Sequence, residues 1–202
     1  MNTTDITIKF PKKNEFNINF ADEVCIGSVF EFQKEFNEKV NDITEAYNEI
    51  KWALKRINVE NDIKIPSLTI NLNTPGGECY AGLAMRDFIK DNKYPGDINI
   101  IAQGHVMSMG IPILLSIPFE GRFAYSNTTF MIHSASGLAI GCVDEIEDSL
   151  AEIKRLNKII YKIITDNTKI TQEQLEHYEE RKKDWIIDAQ TALELGLISK
   201  IL

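Results

Sequence analysis

The feature that most constrains the fold is a repeated change of hydrophobic period along the middle of the chain. Short apolar segments with strand character, "LTINLN", "DINIIA" and "TTFMIH", are separated by stretches with helical spacing. Strands that alternate with helices are typical of an α/β layer fold with right-handed crossovers. In such sheets, sites collect where strands end and helices begin. We therefore expect function at the ends of these strands.

Two long helices are predicted by apolar residues spaced three and four positions apart. The first covers about residues 31–57. The second carries the apolar stripe Ile146, Leu150, Ile153, Leu156, Ile160 and Ile163. Between the strands, "ECYAGLAMRDFIK" predicts a further helix and "SMGIPILLSI" a short buried one. Residues 1–28 alternate weakly, which is typical of short strands or an N-terminal arm.

Helix-end signals divide the last part of the chain. Thr171 with Gln174 has the spacing of a capping box. Asp188 can cap the helix "AQTALEL", and Gly196 stands where a C′ glycine belongs.

Composition limits the class of protein. With 202 residues and no internal linker or repeat, we expect one domain over residues 1–202. The net charge of −8 argues against nucleic-acid binding, which requires a basic surface. No apolar run approaches the roughly 20 residues of a membrane span, and the N-terminus has no apolar signal core. Three scattered cysteines indicate reduced thiols without metal-ligand spacing. We therefore expect a cytoplasmic protein with no metal site and no membrane partner.

Three strand ends carry residues suited to nucleophilic catalysis. A serine nucleophile needs a base, a group that orients the base, and donors for an oxyanion. Ser108 is predicted to start a helix, so the Met109 N–H would be unpaired and could serve as such a donor. Gly76-Gly77 allows close backbone approach, and His133 ends the strand "TTFMIH".

Each of these signals also has a structural explanation. A serine at a helix start is usually a cap, a histidine after a strand is usually structural, and Pro-Gly-Gly is usually a turn. His177 lies in a charged helix, whereas His105, three residues before Ser108, could be an accessory group. The residues alone leave open a soluble α/β domain, with hydrolase activity as one alternative.

The order of the motifs narrows these alternatives. "NTPGGECYAG", "GHVMSMG", "FMIHSASG" and "DWIIDAQTALELGLI" follow one another over residues 67–202. This series resembles the ClpP family, the proteolytic subunits of Clp proteases, including "GRF" at 121–123. The resemblance implies a ClpP/crotonase-like α/β fold of repeated β-β-α units. It also implies a protruding strand-helix handle over 134–166, with "SGLAIGC" as its strand.

The resemblance also implies a role for each matching residue. Ser108 would be the nucleophile, His133 the general base and Asp184 the acid that orients the histidine. The N–H groups of Gly77 and Met109 would form the oxyanion hole. Without the resemblance, Asp184 would be taken for a solvated surface acid.

Further expectations concern substrate and assembly. Gly76, Gly137 and Leu138 match positions that line the substrate. The family cleaves peptides or unfolded proteins inside a heptameric ring or double ring and needs no metal or cofactor. We therefore expect a peptide substrate and a homo-oligomer.

The chain departs from the family pattern around the site. Val106-Met107 and His105 replace smaller residues before the serine and could narrow the neighbouring pocket. Ser134-Ala135 replaces Gln-Pro after the histidine. Lys183 replaces an arginine that takes part in ring-to-ring ion pairing, so double-ring assembly is a weaker expectation.

A second departure concerns the partner. The family docks an AAA+ unfoldase in an apolar pocket, but here Thr69, Asn71 and Asp91 stand at positions of that pocket. Polar groups left unpaired by an apolar anchor disfavour docking. We expect the chain not to use the usual unfoldase, or to bind a different partner.

Three hypotheses follow. The first is a ring-forming ClpP-like serine peptidase, of which a phage-type protease that trims assembly proteins is one version. The second is a crotonase-like acyl-CoA enzyme, which would not need Ser108, His133 and Asp184 together. The third is a non-catalytic subunit that keeps the ring fold.

Overall fold

The computed structural model describes residues 17–56 and 65–202. This part of the chain alternates strands and helices along most of its length. The strands are β1 (Asn17–Phe20), β2 (Leu68–Thr74), β3 (Ile98–Met107), β4 (Arg122–Ala124), β5 (Thr129–Ile132), β6 (Trp185–Asp188) and β7 (Lys200–Ile201). The helices are α1 (Ile26–Arg56), α2 (Cys79–Lys90), α3 (Gly110–Leu114), α4 (Val143–Asn167), α5 (Gln172–Glu180) and α6 (Ala189–Glu194).

The strands form one mixed sheet. Its main path runs β1-β2-β3-β4-β7, and every pair along it is parallel. Strand β5 also pairs with β3 in parallel, and β6 pairs with β5 in antiparallel. The expected α/β class is confirmed.

One edge of the long strand β3 pairs with two different strands, because β3 bends at Gly104, while its other edge pairs with β2. Residues 100–102 pair with β4, whereas residues 105–107 pair with β5. Gly104 has a φ of +62° between these segments, and a Cβ there would lie 2.8 Å from Asn73 Oδ1. The bend turns the end of β3 toward β5, which brings the strand ends with Ser108 and His133 side by side.

The core lies between the sheet and the helices. Alternate residues of β2, namely Leu68, Ile70 and Leu72, are fully buried, as the period of a half-covered strand requires. Helices α1 and α2 are joined by an aromatic cluster in which Phe36 and Phe88 pack edge to face at 5.2 Å. Helix α3 is buried throughout, which agrees with the short buried helix predicted there.

Several boundaries differ from the prediction. Helix α1 begins at Ile26 rather than near residue 31, because Ser28 Oγ accepts from the Cys25 N–H and fixes the chain entry. Of the expected N-terminal arm, residues 1–16 lie outside the described part, and 17–20 form β1. The expected handle strand in "SGLAIGC" is wrong for the single chain, since residues 134–140 have no neighbouring strand to pair with among the described residues.

The helix-end predictions in the last part of the chain are confirmed. Thr171 Oγ1 accepts from the Gln174 N–H, and Gln174 Oε1 accepts from the Thr171 N–H. Asp188 Oδ1 accepts from the Thr191 N–H at 2.7 Å, and Gly196 has a φ of +77°.

Helix α4 is long but only partly covered. The second half of its apolar stripe is buried, whereas Ile146 and Leu150 are 42% and 49% exposed. Within residues 17–56 and 65–202, no helix is long and apolar enough to cross a membrane.

Candidate active site

Ser108 lies in a tight turn between β3 and α3. Its φ is +51°, a conformation that is uncommon for a residue with a side chain. The Ser108 N–H donates to Met131 O at 2.9 Å, which ties the turn to β5. The expectation that Ser108 starts the helix is wrong, because α3 begins at Gly110 with Met109 as its N-cap. Ser108 is therefore not the N-cap of this helix.

The Gly76-Gly77 turn lies directly against this serine. A Cβ on Gly76 would lie 2.5 Å from Ser108 Cβ and 3.0 Å from the Met109 nitrogen. Gly76 has a φ of +94°, which together with this contact requires glycine. The turn is held on its other side by Val24, whose N–H donates to Gly76 O and whose carbonyl accepts from the Glu78 N–H.

His133 reaches the serine from the end of β5. Its Nε2 atom lies 2.8 Å from Ser108 Oγ, which is hydrogen-bond distance. The pair forms because β3 and β5 are parallel, so their carboxyl ends meet at the same edge of the sheet. With the proton on Nδ1, Nε2 can accept the serine hydroxyl proton.

Asp184 lies beside the other nitrogen of this ring. Its Oδ1 atom is 3.8 Å from His133 Nδ1, longer than a hydrogen bond. The Asp184 side chain is 62% exposed and that of His133 is 32% exposed. The neighbouring Trp185 stacks on Tyr178 with ring centroids 4.7 Å apart, which holds the turn before β6. A shift of roughly 1 Å would bring Asp184 into hydrogen-bond range.

The two backbone N–H groups expected to form an oxyanion hole lack partners among the described residues. Neither the Gly77 N–H nor the Met109 N–H has a hydrogen-bond partner within the part of the chain that the structure describes. A Cβ on Gly77 would lie 2.2 Å from Val24 O, so only glycine keeps this backbone in place. Unpaired N–H groups beside a serine hydroxyl can stabilise a negatively charged oxygen.

A small cavity of about 20 Å³ adjoins the serine. Its wall is mostly apolar and includes residues that the sequence analysis did not assign to the site, namely Cys79, Ile111, Ile160 and Ile164. Burial raises the pKa of the Cys79 thiol, so this residue stays neutral and lines the cavity as an apolar side chain.

Asn157 is another residue that the sequence analysis missed. Its Oδ1 atom accepts from the Ala135 N–H at 2.6 Å, and its amide donates to Glu179. It therefore fixes the segment that follows His133. The sequence did offer one indication of this role, because Asn157 is a polar residue beside Leu156 in the apolar stripe of α4.

The other expected residues lie in different surroundings. Gly137 and Leu138 follow the histidine in the unpaired segment, and Leu138 is 89% exposed. His105 lies within β3, paired with Thr129, and His177 lies exposed on α5 beside Arg181. In the described residues no group of three His, Cys, Asp or Glu side chains could hold a metal ion.

Comparison with known proteins points in one direction. A family model described as Clp protease matches residues 35–202. An ATP-dependent Clp protease proteolytic subunit of Deinococcus radiodurans is 32% identical over 131 residues, 65% of this chain and 62% of that protein. The subunit of the same name from Porphyromonas gingivalis is 35% identical over 136 residues, 67% of this chain and 59% of that protein. The matches thus span about three-fifths of these relatives.

A solved structure, that of a ClpP1 mutant from Listeria monocytogenes, has the same fold. It superposes with a TM-score of 0.65 at 26% identity, over 94% of this chain and 92% of that one. A family match that covers most of the sequence agrees with a fold match that covers nearly all of it. The chain is a member of the Clp protease family, with a ClpP-like α/β fold.

Proposed function

We propose that the protein is a serine endopeptidase that uses Ser108 as nucleophile and His133 as general base. The observation that carries this proposal is the 2.8 Å contact between Ser108 Oγ and His133 Nε2 at adjoining strand ends. Family membership supports a peptidase. A crotonase-like acyl-CoA enzyme would not need this contact.

The mechanism follows from this geometry. Ser108 Oγ attacks the peptide carbonyl carbon while its proton passes to His133 Nε2, and the C–N bond breaks as that proton moves to the leaving amine. Water, deprotonated by His133, then hydrolyses the acyl-serine ester. The N–H groups of Gly77 and Met109 hold the oxyanion, and Asp184 stabilises the imidazolium. These steps require no metal or cofactor.

Fluorophosphonate labelling with intact-mass detection tests the proposal without knowledge of the substrate. The wild type should gain one adduct, and Ser108→Ala should gain none. Ser149→Ala, which removes a half-buried hydroxyl on α4 that donates to Glu145 O, is the matched control and should label normally. A folded wild type that gains no adduct would favour the non-catalytic subunit instead.

The proposed substrates are peptides or unfolded proteins, cleaved inside a homo-oligomeric ring. Support for assembly comes from a run of exposed apolar side chains after His133: Leu138, Ile140, Val143, Ile146 and Leu150. A monomer rarely leaves such a contiguous apolar surface in water. We propose that this surface packs against another copy of the chain. We also propose that Gly76, Gly137 and Leu138 line the bound substrate inside the ring. Sedimentation should then give a mass that is a multiple of 23.0 kDa.

The usual AAA+ unfoldase is not part of this proposal. On β2, Thr69 and Asn71 remain half-buried, and Asn71 Nδ2 donates to Asn19 Oδ1 at 3.0 Å, so this face of the sheet is polar. Asp91 is exposed at the end of α2. We expect no complex with a family unfoldase in a pull-down, and tight, activating binding would overturn this expectation. The cell compartment that we propose is the cytoplasm.

A further inference from the structure

A second and much larger cavity lies away from Ser108. It has a volume of about 1010 Å³ and is bounded by α2, the segment after α3, and the second half of α4. It shares no lining residue with the small cavity beside the serine. We call it the basic cleft because, among the described residues, Arg86, Lys90, Arg122, Lys162 and Lys169 line it against a single acidic residue, Asp166.

This concentration of positive charge is unusual in a chain of net charge −8. Arg86 and Lys90 are four residues apart on α2, so they share one helix face and repel each other. Burial lowers the pKa of Arg122 to about 10. The charge of Arg86 acts in the same direction, whereas that of Glu120 opposes it. An anion in the cleft would relieve both effects.

Not all of these cations are free to bind a ligand. Arg122 donates from Nε and Nη2 to Ile117 O and from Nη1 to Asn167 O, so it is a structural residue. Lys162 pairs with Asp166, and Lys169 donates to Glu194 O. Within the described part of the chain, Arg86 pairs only with the exposed carboxylate of Asp87, at 3.2 Å.

Two buried polar groups in the cleft lack partners. Among the described residues, Arg86 Nε and Ser116 Oγ are the only buried side-chain donors or acceptors without a hydrogen bond. Ser116 is 8% exposed, and the Arg86 side chain is 12% exposed. Leaving such groups unpaired is costly, and both line the same cavity. An oxyanion accepts from both a guanidinium and a hydroxyl.

The rest of the wall is apolar. Leu115, Ile117, Pro118, Phe119, Ile159 and Ile163 line it. Cavities of this size that combine apolar walls with a few convergent polar groups are typical of small-molecule sites.

We propose that the basic cleft binds a small organic anion, with its phosphate or carboxylate held by Arg86, Lys90 and Ser116 and its apolar body against the isoleucines. The site is independent of the proposed peptidase chemistry. A ligand that lacks the anionic group would leave the polar side chains unpaired, and a ligand that lacks the apolar body would leave the apolar wall uncovered.

Isothermal titration calorimetry of the full chain with four probes tests this. Hexyl phosphate and hexanoate carry both parts, inorganic phosphate carries only the anion, and hexanol carries only the apolar body. We expect saturable binding of hexyl phosphate or hexanoate at least tenfold tighter than that of inorganic phosphate or hexanol. Which of the two binds more tightly identifies the anionic group.

Variants locate the binding. Arg86→Gln should weaken it at least tenfold, whereas Lys154→Gln, which removes a charge elsewhere on α4, should not change it. Lys90→Gln alters an exposed side chain and keeps the test valid if Arg86→Gln fails to fold. No saturable binding, or binding that neither Arg86→Gln nor Lys90→Gln weakens, would overturn the proposal. The first result would mean that the cleft belongs to a protein contact.

Discussion

Replacing Gly76 with alanine tests how closely the glycine turn constrains the proposed nucleophile. The new Cβ would lie 2.5 Å from Ser108 Cβ, 2.7 Å from Met107 O and 3.0 Å from the Met109 nitrogen. All three atoms belong to the turn that carries the serine, and two of them are backbone atoms. Since none is the end of a flexible side chain, the turn itself must move.

The expected magnitude follows from two terms. Holding alanine at a φ of +94° costs about 1–3 kcal/mol. The displaced serine adds a kinetic effect, because a shift of about 1 Å in a reacting group can slow a reaction roughly 100-fold. We therefore expect the free energy of unfolding to fall by at least about 1 kcal/mol and fluorophosphonate labelling to slow by about two orders of magnitude.

Urea unfolding and the second-order rate of labelling measure these two effects separately. Gly27→Ala is the matched control, because its Cβ would meet only Cys25 Sγ, at 3.9 Å, in the first turn of α1. It should stabilise the fold by up to about 1 kcal/mol and leave labelling unchanged. If Gly76→Ala is labelled at the wild-type rate, the contact between the two turns does not position Ser108, and the reasoning fails.

Two further predictions concern charged groups. Asp184→Asn should slow labelling only about fivefold, because a charge near 4 Å from the His133 ring contributes about 1 kcal/mol in a water-like dielectric. A loss of about 1000-fold would contradict this expectation, because it would require a site with a much lower dielectric constant. Hydrogen bonds from Arg155 and Tyr80 lower the pKa of Glu152 from 4.5 to about 2. Its stabilisation is therefore present above pH 4.5 and is lost as the pH falls toward 2. The stability difference between wild type and Glu152→Gln should shrink from about pH 6 to about pH 3 in urea titrations, and a constant difference would contradict this.

Local sequence patterns predicted the secondary structure correctly wherever a segment's own residues determine that structure. The alternation in β2 and the helical period of α4 predicted those elements, and the end signals at Thr171 and Asp188 gave the helix starts. These features depend on side chains within a few residues of each other. They hold in the structure because the tertiary contacts agree with them.

Elements that depend on distant partners were not predictable in this way. Strand β4 has three residues and exists because residues 100–102 of β3 offer an edge to pair with. Strand β6 exists because β5 does, and its antiparallel direction has no local signal. The bend at Gly104 lets β4 and β5 pair with successive parts of β3, and no local pattern in the sequence indicates this. For the same reason, the basic cleft, built from residues between positions 86 and 196, gave no sequence pattern.

The stripe on α4 shows why periodicity alone does not reveal what covers an apolar face. Ile160 and Ile164 face the cavity beside Ser108, whereas Ile159 and Ile163 line the basic cleft. Neighbouring residues point about 100° apart on a helix, so the second half of α4 separates the two cavities.

The first half of the stripe continues with the same period but is only partly covered by the described residues of this chain. Ile146 and Leu150 have the spacing of core residues, but their side chains are partly exposed to solvent. Fully burying one such side chain contributes about 1.5–3 kcal/mol, so leaving several in water forfeits a large part of a typical domain's stability. A regular stripe of apolar side chains stabilises a protein only when another surface covers it. In the assembly proposed above, a second copy of the chain, with its own partly exposed α4, would provide a matching surface.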